Sequence, residues 1–384
     1  MKFIKKFLKW FSITILTLVL LLYVFDYDYI LKGVRVVYFT GHNTAFIDDF
    51  PYFENDTIQK GTKTDAWAIH KNYNTVDATS ALETSNLDWG TVAYLIIKND
   101  SIWFEKYYDG FDENSKTNSF SMAKSYVSGL LGKAIMDGHI KSLDQPLSDF
   151  YPEYSYAKTT VGDLASMASG LDWVESYTSP FSVTARANYD DDLAETILNQ
   201  KVVKTPGVEY EYLSGSTQLL GMVIEKATGK TLSNYLSESF WKPLGSKDNA
   251  IWQLDDEDHR LAKAFCCIGS NAKDFARFGK LYKDFGKWNG QQVLDSSFVA
   301  KSITPRFPAN PVYGYGFWIY DYKGKEFFMM RGHLGQYVIV QPEDNVIIVR
   351  LGHRKSPDNN THVFSNDISL YIDEGYNMLG QSLN

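Results

Sequence analysis

The first 25 residues constrain most strongly where the rest of this chain can fold. Lys2, Lys5, Lys6 and Lys9 precede an uncharged run from Trp10 to Phe25. A membrane-crossing helix needs ~20 apolar residues, with ~17 as the lower bound. The run falls slightly short, but Phe7 and Leu8 extend it if Lys9 snorkels its amine to the interface. Trp10 and Tyr23 fall where interfacial aromatics belong. The competing reading is a cleaved signal peptide. No small-x-small cleavage site follows; the next residues are Asp26, Tyr27, Asp28 and Tyr29, which favours an uncleaved anchor over residues 1–25. In both readings the lysines stay cytoplasmic and the bulk is exported, to a periplasmic or extracellular space; the uncleaved anchor makes it a single-pass protein of the cell membrane.

The exported part has enough material for a packed body. Of 384 residues, 44% are hydrophobic and 22% charged, so a sizeable core is expected and wholesale disorder is not. Net charge is −8, with no basic stripe outside the N-terminal cluster, which argues against a nucleic-acid partner. Cys266 and Cys267 are adjacent. Pairing neighbours strains the peptide between them, so both read as buried free thiols. No His/Cys cluster has zinc spacing.

Residues 26–80 lack a long periodic run and read as an arm between membrane and catalytic body. From residue 91 to 108 two β-rich runs flank Lys98-Asn99-Asp100, predicting a hairpin. Ala123, Val127, Leu130, Leu131, Ala134 and Ile135 then recur at helical spacing, predicting a helix from near Ser121 to about Asp137, stopped by Gly138. Helical patterns and loops dominate residues 126–300, including amphipathic stretches at 219–230 and 272–286. After residue 313, short apolar runs broken by Lys323-Gly324 and Pro342-Glu343-Asp344 predict consecutive antiparallel strands, and a last helix is expected over 363–380. The pattern is an α/β (α+β) body, strands at both ends and helices inserted between, with a cleft where they meet.

Ser121 and Lys124 form a Ser-x-x-Lys tetrad. A serine hydroxyl needs a neighbouring base, and helix positions three apart share a face. The tetrad alone is weak evidence, because Ser155/Lys158, Ser239/Lys242 and Ser270/Lys273 also match. Only Lys124 lies in the apolar stripe of its helix, with Val127, Leu131 and Ile135, where desolvation would lower its pKa toward that of a useful base. The bland alternative is a helix serine beside a snorkelling lysine. Tyr212-Leu213-Ser214 follows a Pro206-Gly207 turn and opens another helical stretch; a phenol beside an amine can shuttle a proton. Arg331-Gly332-His333-Leu334-Gly335-Gln336 lies between two predicted strands, where a glycine lets substrate approach and a following backbone N–H could bind an oxyanion.

In this order the three elements resemble those of the penicillin-recognising serine hydrolases: class C β-lactamases, D-alanyl-D-alanine carboxypeptidases, related esterases and 6-aminohexanoate-dimer hydrolase. The Ser169-Gly170-Leu171 stretch and the segments around residues 139–154 and 265–294 match as well, so the likeness spans about 85–380. It implies a β-lactamase/transpeptidase-like domain over 81–384, an antiparallel sheet flanked by terminal helices. It further implies Ser121 as acylated nucleophile, Lys124 as base and Tyr212 as proton shuttle. Ser214, His333, Gly335 and Gln336 would border the substrate on a strand edge, with the N–H groups of Ser121 and Gln336 as the oxyanion hole. No metal or organic cofactor is implied. The expected partner is a small ester or amide, or alternatively a cell-wall peptide carrying D-amino acids; a non-catalytic binding member is the third reading. Leu334 stands where penicillin-binding members carry a hydroxyl, so weak or no β-lactamase activity is expected.

Overall fold

The computed structural model describes residues 2–357, 363–381 and 383. In chain order the strands are β1 (Asn55–Ile58), β2 (Ala68–Ile69), β3 (Thr91–Lys98), β4 (Ser101–Tyr107), β5 (Thr117–Asn118), β6 (Ala250–Gln253), β7 (Ile268–Ser270), β8 (Lys287–Trp288), β9 (Gln291–Gln292), β10 (Trp318–Tyr322), β11 (Lys325–Gly332), β12 (Gln336–Gln341) and β13 (Val346–Gly352). The main sheet has seven strands in the order β10-β11-β12-β13-β3-β4-β2. Only β2 runs parallel to its neighbour. The predicted hairpin joins β3 to β4 through Asn99 and Asp100, both at positive φ as a tight turn of matching twist requires. Its outer partner is β13, which puts Ile96 opposite Ile348. Two distant ends of the chain thus build one sheet, and everything between them is inserted.

Alternation along β3 feeds two cores. Leu95 and Ile97 join the larger one, together with Val127, Leu130 and Leu131 of the helix Ala123–Met136 and Phe275 and Phe278 of the helix Ala272–Lys283. Tyr94 and Ile96 join the other, under the helices Ser80–Asp88 and Asn366–Met378. The fold is β-lactamase/transpeptidase-like, mixed α/β, with terminal helices on one face and an inserted helical region on the other. At the N-terminus, Lys2–Val24 forms one helix long and apolar enough to cross a membrane, and none of it is buried in the body.

The stretch read as an arm is not a plain spacer. Ile47 and Ile58 are fully buried in the larger core. β1 pairs with β6 in a second sheet of order β1-β6-β7-β5, and β2 edges the main sheet. Short strands holding one or two apolar residues carry no periodic signal; they are fixed by the edge they pair with. Nearer the N-terminus, the helical turn Tyr29–Gly33 packs against the helix Val183–Tyr189 and against the following turn Val34–Tyr38.

Candidate active site

The site is built on β5. Asn118 pairs with Gly269 of β7, and the next residue closes the sheet: Ser119 N donates to Ile268 O at 2.7 Å and Ser119 Oγ accepts from Ile268 N at 3.0 Å. Phe120 then takes φ +44°, rare for a bulky residue, and Asn118 Oδ1 holds it there by accepting its N–H at 2.8 Å. The chain leaves this bend through a 3-10 turn, Phe120–Met122, into the helix Ala123–Met136. The predicted helix is therefore present, with Ser121 in the tighter turn ahead of its first α position.

Lys124 Nζ lies 3.0 Å from Ser121 Oγ and donates to Phe265 O at 2.9 Å. The amine is buried, and burial pulls its pKa down to about 8 against the opposing charge of Glu175. The Tyr212 ring sits 5.0 Å from the same amine and stacks on Trp318, with centroids 5.3 Å apart. Burial raises the Tyr212 hydroxyl, while the neighbouring Ser121 hydroxyl favours its ionised form. The hydroxyl and amine of one tetrad thus meet a phenol from a distant stretch of the chain, and Ser121 opens into a cavity. The arrangement can pass a proton from serine to amine and on to a leaving group.

Ser214 and His333 line that cavity with Ser121. Glu175, which the sequence did not single out, fixes Ser214: its carboxylate accepts Ser214 N at 2.7 Å and Ser214 Oγ at 2.8 Å, and also Trp173 Nε1 at 2.9 Å. A lone acid in a loop gives no signal of this kind without the tertiary contact. His333 is packed between Tyr177, stacked at 5.5 Å, and the edge of Phe120 at 5.6 Å.

The third motif differs from expectation in its geometry. His333–Gly335 is the turn between β11 and β12, not an extended strand edge; Leu334 and Gly335 both have positive φ. Gly335 and Gln336 do not line the cavity. Arg350 Nη1 grips the turn from behind, donating to Leu334 O at 3.0 Å and Gly335 O at 2.8 Å, and the Gln336 amide donates to Gly352 O at 2.6 Å. The glycine that governs close approach is Gly332: a Cβ there would sit 2.2 Å from Ser119 O, so only glycine lets β11 end against the bend that precedes Ser121. Cys266 and Cys267, read from sequence as free thiols, form a disulfide with each other and line the cavity beside Phe265. The chain bends at this pair, with Cys267 at φ +78°.

The fold and this constellation define a hydrolase class, and the sequence comparisons name its family. The beta-lactamase family profile matches residues 81–365, most of the chain, and the protein belongs to that family. It is 25% identical over 300 residues to the 6-aminohexanoate-dimer hydrolase of Paenarthrobacter ureafaciens, covering 70% of this chain and 74% of that one. It is 26% identical over 190 residues to Protein flp of Staphylococcus aureus (strain NCTC 8325 / PS 47), covering 46% of this chain and 38% of the relative. Among solved structures, a Bacillus anthracis protein provisionally called a 6-aminohexanoate-dimer hydrolase superposes with TM-score 0.75 at 20% identity, covering 91% and 95% of the two chains. A D-stereospecific amidohydrolase from Streptomyces sp. gives TM-score 0.59 at 18% identity, covering 77% and 96%.

Proposed function

We propose that the protein is an exported serine hydrolase that cleaves a small ester or amide through an acyl-enzyme at Ser121. The single observation carrying this is the 3.0 Å contact between the Ser121 hydroxyl and a buried lysine amine at the wall of an open cavity. An amine depressed to about 8 is neutral in a useful fraction of molecules near pH 7–8 and can accept the serine proton. Ser121 Oγ attacks the carbonyl carbon, Lys124 takes the proton, and the carbonyl oxygen becomes an oxyanion facing the backbone N–H of Ser121. Collapse breaks the bond to the leaving group, which receives its proton through Tyr212. A water molecule, deprotonated by the same pair, then attacks the acyl-enzyme and frees Ser121.

The apolar N-terminal helix supports a membrane-tethered enzyme working on the exported side, with its four lysines held in the cytoplasm. A fluorophosphonate should label the wild-type protein at Ser121, and Ser121→Ala should lose both the label and p-nitrophenyl ester turnover. Label retained by the variant would place the nucleophile elsewhere. Leu334 offers no hydroxyl to a substrate carboxylate, so nitrocefin turnover should be weak or absent; efficient nitrocefin hydrolysis would contradict that.

A further inference from the structure

Two stretches that line the Ser121 cavity are joined to the end of the apolar helix Lys2–Val24. Ser179 and Pro180 come from the loop before the helix Val183–Tyr189; Val37 and Phe53 come from the chain that follows the apolar helix. Tyr29, only 4% exposed, donates from its hydroxyl to Pro180 O at 3.0 Å. The Tyr27 ring meets the Phe181 ring edge-on, with centroids 5.7 Å apart. Arg186 Nη1 donates to Asp26 Oδ2 at 2.7 Å, its Nη2 donates to Asp26 O, and its guanidinium lies over the rings of Tyr27 and Tyr29. Five residues separate Val24 from Tyr29, at most about 18 Å of chain. The cavity wall is thus held close to the point where the apolar helix ends. Tyr23, in the last turn of that helix, opens onto a second depression that is also lined by Phe53 and Tyr189, and both of these line the Ser121 cavity as well.

Rings stand exposed along the same border. Phe181, next to the wall residue Pro180, is 65% exposed, and Phe39, two residues past the wall residue Val37, is 82% exposed. Phe25, the first residue past the helix, is 65% exposed. Single exposed apolar side chains are ordinary, but aromatic rings gathered at the end of an apolar helix stand where a bilayer interface places them. Arg186, the cation in contact with Tyr27, is already occupied by Asp26 and Asp190. Contact with a bilayer there rests on the rings rather than on attraction to anionic headgroups, so neutral lipid suffices.

Resting on the Ser121 and membrane-span readings above, we propose that the Ser121 cavity opens at the bilayer surface and that its substrate is a membrane-resident amphiphile. The hydrocarbon chain of this ester or amide stays in the lipid while its carbonyl enters the cavity past Phe39 and Phe181.

The test uses the full-length protein reconstituted in phosphatidylcholine vesicles. Two long-chain esters, p-nitrophenyl dodecanoate and dodecyl acetate, place the chain on either side of the scissile bond; p-nitrophenyl acetate and ethyl acetate are their short counterparts. The wild type should turn over at least one long-chain ester, held in its own bilayer, tenfold or more faster than the short counterpart at equal total concentration. Phe39→Ser combined with Phe181→Ser should cut that rate at least fivefold and leave p-nitrophenyl acetate turnover within twofold. No long-chain preference in the wild type, or equal losses on long and short esters, would overturn the proposal. Placement is read separately, without turnover. A nitrobenzoxadiazole label on Phe181→Cys should be quenched by brominated phosphatidylcholine. The same label on Phe285→Cys should not be; that position lies two residues past Lys283, which pairs with Asp100 at the end of the main sheet away from Gly332. Equal quenching at the two positions, or none at Phe181→Cys, would again overturn it. If no ester is turned over and Ser121 takes no fluorophosphonate, the hydrolase reading fails, and the quenching still decides whether the cavity mouth meets the bilayer.

Discussion

Lys124 and Lys263 are both sealed from solvent, at 2% and 0% exposure. Each donates to a single backbone carbonyl, Phe265 O at 2.9 Å and Asn188 O at 2.8 Å. Each lies against aromatic rings: Tyr212 and Phe265 for the first, Phe53 for the second. Burial pulls both amines down, Lys124 to about 8 and Lys263 to about 7. By titration alone Lys263 would be the better base at neutral pH. What separates them is reach. Lys124 meets a hydroxyl at 3.0 Å that opens into a cavity, whereas Lys263 makes no hydrogen bond to a hydroxyl among the described residues. A depressed pKa marks a buried amine; only a neighbouring hydroxyl open to a cavity makes one of the two a candidate base.

The comparison breaks most easily at the lysines themselves. Lys124→Met should lower kcat/KM by roughly 10³-fold or more, since a serine without its base is a poor nucleophile. Lys263→Met should change turnover of a neutral ester by less than about threefold, the range of an indirect effect. Comparable losses in steady-state assays of the two variants would erase the distinction drawn here. Tyr212→Phe should follow, with a loss on the order of 10²–10⁴ on amides. The loss should be smaller on p-nitrophenyl esters, whose leaving group departs without a proton.

A smaller effect concerns pH. Because only the neutral amine accepts a proton, kcat/KM should rise with pH through about 8. Glu175 opposes the depression of Lys124, so Glu175→Gln should move that rise to lower pH, as a pH–rate profile would show. The smallest effect is on stability. Lys263 has a folded pKa lowered from 10.5 to about 7, so between those values the unfolded chain binds more protons. Stability then increases as pH rises through that window, and the increment is absent below pH 7. Lys263→Met should flatten the climb in melting temperature between pH 7 and 9.5, leaving the part due to Lys124. An unchanged climb would mean that Lys263 is solvated in the folded protein.

Much of the body was legible because its signals are local. The β3–β4 hairpin announces itself through Asn99 and Asp100 between β-rich runs, and the helix after Ser121 through its apolar spacing. Lys124 stood out because a lysine inside an apolar stripe conflicts with its surroundings, and it is indeed buried there. The parts that were misread lack such a conflict. Residues 26–80 carry single apolar anchors such as Ile58, whose burial depends on β6 almost two hundred residues later. The strain of pairing adjacent cysteines argues for free thiols at Cys266 and Cys267, yet they pair, at a bend where Cys267 has positive φ. The residues place His333–Gly335 between two strands, as observed; the strand edge is what the family likeness implies, and the positive φ at Leu334 and Gly335 makes it a turn instead.

The sequence by itself determined an apolar N-terminal helix, a sheet fed from both ends of the chain, and a serine, lysine and tyrosine in motif order. Periodicity and neighbour chemistry are written residue by residue, so they survive without coordinates. Only the tertiary structure decided that Glu175 holds Ser214, that Arg350 fixes the turn behind His333, and that Tyr29 ties Pro180, in the wall of the Ser121 cavity, to the end of the apolar helix. Each of those depends on segments far apart in the chain being pressed together by a shared core, and the direction in which a side chain then points is not encoded by its own neighbours.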